Sequence, residues 1–481
     1  MVMDFDSFMS RFSGILSNVN DFVWGPVMLV LLVGTGVFLM VRLKFRPLRN
    51  LGYALRQVFS KHSIKKEHNA DAGDISPFQS LMTALAATIG TGNIVGVATA
   101  MTLGGPGALF WMWISALFGL ATKYGESVLA VYYRQQDQKG EMSGGPMFSI
   151  KNGFKVKWLG AILAGAFAVF AVIASFGIGN LTQINSIADA VLGTFNIPTW
   201  ITGLVIAVLV GIVLLGGIQS IGKVSSKIVP VMAVFYAAGC IIVIVLKLDS
   251  LPVGVGQIMD SAFSPASVLG GVTGFTFASA LRFGVARGVF SNEAGLGSAP
   301  IAAAAAKTDH PCRQGYINMT GTFFDTIIVC TLTGLAIAGS GVLGSLDASG
   351  EFVTGASLTI AAFGSVMGPA GSYIVTIGLI LFAFSTILGW SYYGEKSLEY
   401  LTHSIRARYI YRAVFAGIVF VGAITSLKTV WNFSDTANGL MAIPNLICLL
   451  VLSKVIVQQT NDFDEKFLKR EKMMRRQAKH S

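Results

Sequence analysis

The chain has 481 residues, of which 53% are hydrophobic and only 12% charged, with a formal net charge of +11. That is about half the charged fraction of a soluble domain, and windows of roughly 20 apolar residues recur along nearly the whole length, leaving no room for a sizeable soluble domain. The basic excess lies in short connections between apolar runs, so it marks membrane topology and not a nucleic-acid surface.

Apolar length read against flanking charge predicts eleven transmembrane helices in an all-α polytopic protein. They lie over roughly 22–42, 77–101, 106–132, 158–190, 199–217, 229–247, 267–291, 315–339, 370–394, 411–430 and 436–458. The first follows Asp4, Asp6 and Asp21 instead of a basic segment, and no small-residue cleavage site comes after it, so it is expected to be a retained helix and not a signal peptide. The link after it carries Arg42, Lys44, Arg46, Arg49, Arg56, Lys61, Lys65 and Lys66, against Arg11 alone before it. Later odd-numbered links are basic too, with Lys139, Lys151, Lys223, Lys307, Lys396 and Arg408, whereas the even-numbered links are almost free of Lys and Arg. The positive-inside rule therefore puts the N-terminus outside and the basic C-terminal tail in the cytoplasm of a plasma (inner) membrane protein. Cys240, Cys330 and Cys448 fall inside predicted helices and Cys312 in a loop, which suggests no disulfide framework.

Setting the first helix aside leaves ten. The chain then divides into an N-terminal helix with a basic linker (1–76), two groups of five helices (77–247 and 248–460) and a basic tail (461–481). An odd group size forces the two groups into opposite orientations, as in the inverted repeats of secondary transporters, whose binding site forms between discontinuous helices. The first helix of each group should then be interrupted. ALAATIGTGNIVGVATA carries Gly90, Gly92 and Gly96, and SPASVLGGVTGFTFASALRFG carries Gly270, Gly271 and Gly274. One such cluster alone reads equally well as close helix packing. Two at corresponding places read as breaks. Backbone groups freed in hydrocarbon each cost several kcal/mol if unpaired, so a break must face a polar occupant. Free N–H groups suit an anion and free carbonyls a cation, which together fit a zwitterion with a co-bound cation.

The segments TIGTGNIVGVATAMTLGGPGALFWMW, GGPMFSI, RFGVARGVFSNEAGLGSAPIAAAAAKT and GTFFDTIIVCTLTGL resemble the signature regions of the alanine or glycine:cation symporter family. The resemblance runs over almost the entire chain and implies a LeuT-type inverted-repeat fold. It also implies sodium-coupled uptake of small neutral amino acids, alanine and glycine above all and D-alanine in prospect, with protons replacing sodium in some members. By the same resemblance, Gly90 to Asn93 correspond to the Gly-x-Gly-Asn of a broken core helix. The N–H groups of Thr91 and Gly92 would take the substrate carboxylate, and the Asn93 amide oxygen would take sodium. The carbonyls of Ala86 and Ile89, with the hydroxyls of Ser385 and Thr386, would form a cation site; Ser and Thr otherwise bond their own helix. Thr88 and Gln183 are candidates for the substrate's polar end. Trp390 would cap a small side chain, the alternative being an interfacial anchor, and Phe275 or Phe277 would add wall.

Asp325 is an intramembrane charge and so a functional candidate, as a cation ligand or as the partner that neutralises a basic neighbour. Lys123 and Glu126 are expected to pair locally, and Arg282, Arg287 and Glu293 to sit at the cytoplasmic gate. A channel would repeat one filter segment around a symmetric oligomer, and an intramembrane enzyme would show H-E-x-x-H or G-x-S-x-G; neither is present. A sensor would carry an appended signalling domain. The expected partners are a small neutral amino acid, sodium and the lipid bilayer.

Overall fold

In the computed structural model, described for residues 14, 18–20, 22–60, 73–264, 267–269, 272–425 and 427–468, the chain is a helical bundle with two short antiparallel hairpins. α1 (Pro26–Arg42) and α2 (Leu51–Val58) precede the core. α3 (Pro77–Thr88) starts on a capping box: Ser76 Oγ accepts from the Gln79 N–H, Gln79 Oε1 accepts from the Ser76 N–H, and Pro77 needs no partner. It stops at Thr88. The chain becomes helical again through a π turn, Gly92–Gly96, into α4 (Val97–Gly104), bent by 49° from α3. The glycine-rich midpoint is a true break.

α5 (Ala108–Tyr132) leads into the hairpin β1 (Gln135–Gln136) and β2 (Met142–Ser143), then α6 (Pro146–Gly153). α7 (Lys157–Phe176) continues through a π turn, Gly177–Leu181, into α8 (Thr182–Phe195), followed by α9 (Thr199–Leu215) and α10 (Gly217–Leu246). After α11 (Leu251–Phe263), β3 (Ser267–Leu269) pairs with β4 (Val272–Phe275) before α12 (Phe277–Asn292) and α13 (Ala299–Ala304). α14 (Pro311–Thr322) joins α15 (Thr331–Ser340) through the π segment Phe323–Cys330. α16 (Gly355–Met367), the long α17 (Pro369–Thr402), α18 (Ile405–Ala423), α19 (Leu427–Val451) and α20 (Ser453–Phe463) complete the bundle.

Each of the eleven predicted segments contains helix. Among the described residues, five stretches are long and apolar enough to cross a membrane (Lys157–Phe195, Gly217–Leu246, Pro311–Ser340, Pro369–Thr402 and Phe433–Val451), and the bent pair α3–α4 makes a sixth. α1 and α9 are apolar but stop at 17 residues.

The second predicted break is corrected. The expected helix over 267–291 begins only at Phe277, because Ser-Val-Leu and Val-Thr-Gly-Phe flank a Gly-Gly pair, a sequence that favours paired strands over helix. A second capping box, Thr276 with Ser279, then starts α12. Gly270 and Gly271 lie outside the described residues, as do Lys61, Lys65, Lys66 and the tail beyond residue 468. α11 and α16 occupy stretches expected to be plain links. All four cysteines are free and buried, Cys312 at the start of α14 and not in a loop.

Candidate functional site

At the break, the backbone of α3 meets α17 and α8. Thr386 Oγ1 donates toward the carbonyls of Ala86 at 3.0 Å and Ile89 at 3.4 Å, and Ser385 Oγ lies 3.3 Å from the Ala86 oxygen. Both hydroxyls also bond Phe382 O in their own helix, the alternative expected for this pair. A Cβ on Gly90 would collide with Thr386 Oγ1 and lie 3.1 Å from Gln183 Oε1. Only glycine lets these two helices approach the unwound backbone so closely.

The Thr91 N–H donates to Gln183 Oε1 at 3.1 Å. Gln183 is aimed there by its own amide, which donates to Ile178 O at 2.8 Å; Ile178 lies in the π turn, whose wider coil frees that carbonyl. Thr91 Oγ1 is buried without a partner.

Asn93 Oδ1 accepts from the Gly90 N–H at 2.9 Å, and an amide oxygen keeps a second lone pair. Its Nδ2 donates to Asp325 Oδ1 at 2.7 Å. Asp325, fully buried in the π segment, also accepts from Ser291 Oγ at 2.9 Å and Thr326 Oγ1 at 2.8 Å. All three donors are neutral. The carboxylate is oriented by them, and the positive charge that acts on it is the Lys123 ammonium. Ser291 escaped sequence reasoning, since a serine in a helix carries no signal of what it faces. A Cβ on Gly92 would lie 2.8 Å from the Ser291 Cα, so α12 packs directly on the break.

Trp390, one turn after Thr386 on α17, is fully buried and packs edge-on to Tyr393 at 5.5 Å. A Cβ on Gly179 would collide with its own Cβ. It is therefore no interfacial anchor. Thr88 bonds back to Ala84 O and Leu85 O at 3.1 and 3.3 Å, and Phe277 is 41% exposed against Trp111, away from the break. Of Phe275 only the backbone, in β4, is described.

Gly92 packs against Ser291 and Gly104 against Phe283, so α12 runs antiparallel to α4. Arg287 therefore lies on the Gly104 side of the site, the outer side in the predicted topology. It forms a two-pronged pair with Asp435 of α19, at 2.9 and 2.7 Å, and stacks over Trp431 at 5.0 Å. Arg282, a turn further out, lies over Phe283 at 5.6 Å.

On the other side, Lys396 Nζ reaches Asp137 Oδ2 at 2.8 Å and Arg408 reaches Glu141 Oε2 at 2.8 Å, while Asp74 Oδ2 accepts from the Met142 N–H at 2.9 Å. The β1–β2 hairpin is thereby strapped to the start of α3 and to α17 and α18. Burial alone would raise the Asp137 pKa, but the hydrogen bond and charge of Lys396 bring it down to about 2. Its contribution is present above the ordinary carboxylate range and is lost only as pH falls through about 2, so Asp137 stays ionised against Lys396 at any ordinary pH. Lys123 and Glu126 attract each other electrostatically, but their direct hydrogen bonds go elsewhere. Lys123 donates to Asn292 O at 2.5 Å, and Glu126 Oε1 accepts from the N–H groups of Gly295 and Gly297 beyond α12.

Comparison with known proteins bears on this geometry. A profile of the sodium:alanine symporter family matches residues 9–478. The chain is 55% identical over 459 residues to the sodium/alanine symporter AgcS of Methanococcus maripaludis, covering 94% of this chain and 98% of that protein. It is 35% identical over 455 residues to the amino-acid carrier protein AlsT of Bacillus subtilis, covering 94% and 92%. Among solved structures, MhsT in complex with L-phenylalanine superposes with a TM-score of 0.55 over 79% of this chain and 89% of that one, at 13% identity. That likeness is one of fold, the LeuT type.

Proposed function

The chain belongs to the sodium:alanine symporter family, whose members are membrane transporters and not enzymes, and from that premise we propose that it carries alanine or glycine, in D- as well as L-form for alanine, into the cell together with sodium. The observation that carries this reading is the meeting of the Ala86 and Ile89 carbonyls with the Thr386 hydroxyl at the break, with Ser385 beside them. Hard cations favour such uncharged and anionic oxygens. A sodium ion there would take the place of the Thr386 hydrogen bonds, and the Asp325 carboxylate with the Asn93 amide oxygen would supply a second ligand set and the negative charge.

The substrate carboxylate would displace Gln183 Oε1 from the Thr91 N–H and share the adjoining Gly92 N–H, with Thr88 one turn earlier in α3 and Thr386 facing the break from α17. Trp390 would roof the side chain, with Phe275 as a further candidate wall. Thr91, Gly92, Asn93, Gln183, Thr386 and Trp390 are all buried, the state of a site closed on both sides. The Arg287–Asp435 pair would be the outer closure and the Lys396 strap the inner one, opened in turn around a fixed site. The two groups of five helices, the outside N-terminus and the single membrane-spanning unit from 77 to 460 complete the proposed layout.

Two measurements test this reading. L-alanine should raise the melting temperature of the purified protein in sodium and leave it unchanged in choline, since a ligand stabilises only the state that binds it; an equal shift in both salts would contradict sodium linkage. Trp390→Ala should let leucine compete with alanine at a concentration at least about tenfold lower than in the unaltered protein, a difference of about 1.4 kcal/mol. Unchanged exclusion of leucine would remove Trp390 from the pocket.

A further inference from the structure

A groove of about 340 Å³ opens on the flank of the bundle behind the break. Met82 and Leu85 of α3, Ala233 and Ala237 of α10, Ile328 of the π segment and Phe59 after α2 line it, and every other lining side chain is apolar as well. The methyl side chains of Ala233 and Ala237 leave room that a larger residue would fill, and Pro230 removes one i→i−4 bond from α10 at the same place. At its rim, Val234 is 71% and Phe59 65% exposed, so the groove faces the bilayer and not the polar break. Val229 and Ala237 are eight residues apart on α10, about 12 Å at 1.5 Å per residue. One leaflet of hydrocarbon is about 15 Å deep, half of the bilayer core. The groove therefore suits an acyl chain of one leaflet and is too short for a partner's transmembrane helix.

Its end nearest Val229 is basic. Lys223, Lys227, Pro230, Val234 and Ala237 follow one another at spacings of four, three, four and three residues, so the two lysines share one stripe of α10 with three lining residues. Both lysines are exposed, and among the described residues no carboxylate pairs with either. Arg56, also exposed, stands three residues before Phe59. A Cβ on Gly222 would lie 3.7 Å from Gln79 Cβ, which puts this end of α10 beside the start of α3, the inner end in the proposed topology. A surface that is hydrocarbon along its length and cationic at its inner end matches a lipid with a negative headgroup.

We propose that the groove binds an anionic phospholipid of the inner leaflet, with one acyl chain between α3, α10 and the π segment and its phosphate on Lys223, Lys227 and Arg56. Ile89, at the end of α3, and Val329, in the π segment that holds Asp325, line the same groove, so the bound chain packs on the break from behind. The proposal rests on the membrane placement in the proposed function and not on sodium coupling.

Native mass spectrometry of the delipidated full chain, given equal amounts of phosphatidylglycerol and phosphatidylcholine with the same acyl chains, reads the most tightly held lipid. The unaltered protein should hold phosphatidylglycerol at least about tenfold more tightly, as expected for two or three cations at a headgroup. Lys223→Gln together with Lys227→Gln, both at exposed positions, should bring the preference below about threefold. Ala233→Phe, which fills the groove from a half-buried position, should weaken retention of both lipids at least about tenfold. Glycerol 3-phosphate, a headgroup without chains, should displace neither. Equal retention of the two lipids by the unaltered protein, a full preference in the double Gln variant, full retention in Ala233→Phe, or displacement by glycerol 3-phosphate would overturn the lipid site. Loss of a second copy of the chain in Ala233→Phe, with lipid retention unchanged, would assign the groove to self-association instead. A protein that binds lipid as stated and shows no sodium-driven uptake would count against the transporter reading alone.

Discussion

Replacing Thr386 with valine should raise the sodium concentration for half-maximal uptake at least about tenfold, equivalent to about 1.4 kcal/mol of lost sodium binding. Valine keeps the volume of threonine and removes only the hydroxyl, the atom that stands 3.0 Å from the Ala86 carbonyl and 3.4 Å from that of Ile89. The two carbonyls are freed by the end of α3 at Thr88, so no helix neighbour replaces the lost ligand. Thr386→Ser restores the hydroxyl and should restore most of the affinity. The substrate concentration for half-maximal uptake at saturating sodium should change less than that for sodium. Unchanged sodium dependence in the valine variant would exclude the α3–α17 junction as a cation site.

Asp325→Asn should lower the maximal rate of sodium-driven uptake by at least about 100-fold, a loss of about 2.7 kcal/mol. The Asp325 carboxylate accepts from Asn93, Ser291 and Thr326, all of them neutral, so it orders three elements around the break while keeping its charge. An amide loses the charge and turns an N–H₂ group toward donors, so two donors must face each other or one side chain must rotate away. Asn93 is then released from its hold, and with it the bond from the Gly90 N–H that shapes the turn. A folded Asp325→Asn protein, confirmed by its melting curve, that transports at more than about a tenth of the normal rate would show that the charge is dispensable.

The break at Gly90 to Gly92 was legible because three glycines in an apolar run have few uses, and the structure puts the bend there. Thr386, Ser385 and Gln183 were legible through the family resemblance, and each reaches the break as expected. Other features depend on partners far along the chain. Arg287 finds Asp435 148 residues away, and Ser291 finds Asp325 34 residues away, distances that no local periodicity encodes. Lys123 and Glu126 have the three-residue spacing that favours a helix pair, but tertiary contacts to Asn292 and Gly295 override it. The strands Ser267–Leu269 and Val272–Phe275 show the converse: a stretch whose apolar length suggests helix pairs as strands, since its β-branched residues favour pairing.

Uptake of labelled L-alanine into proteoliposomes, with and without an inward sodium gradient, addresses the coupling itself. A sodium gradient should speed initial uptake at least about tenfold over choline on both sides, with accumulation above equilibrium that collapses when the gradient is dissipated. Equal uptake in the two conditions, or accumulation driven by a proton gradient in the absence of sodium, would contradict sodium symport.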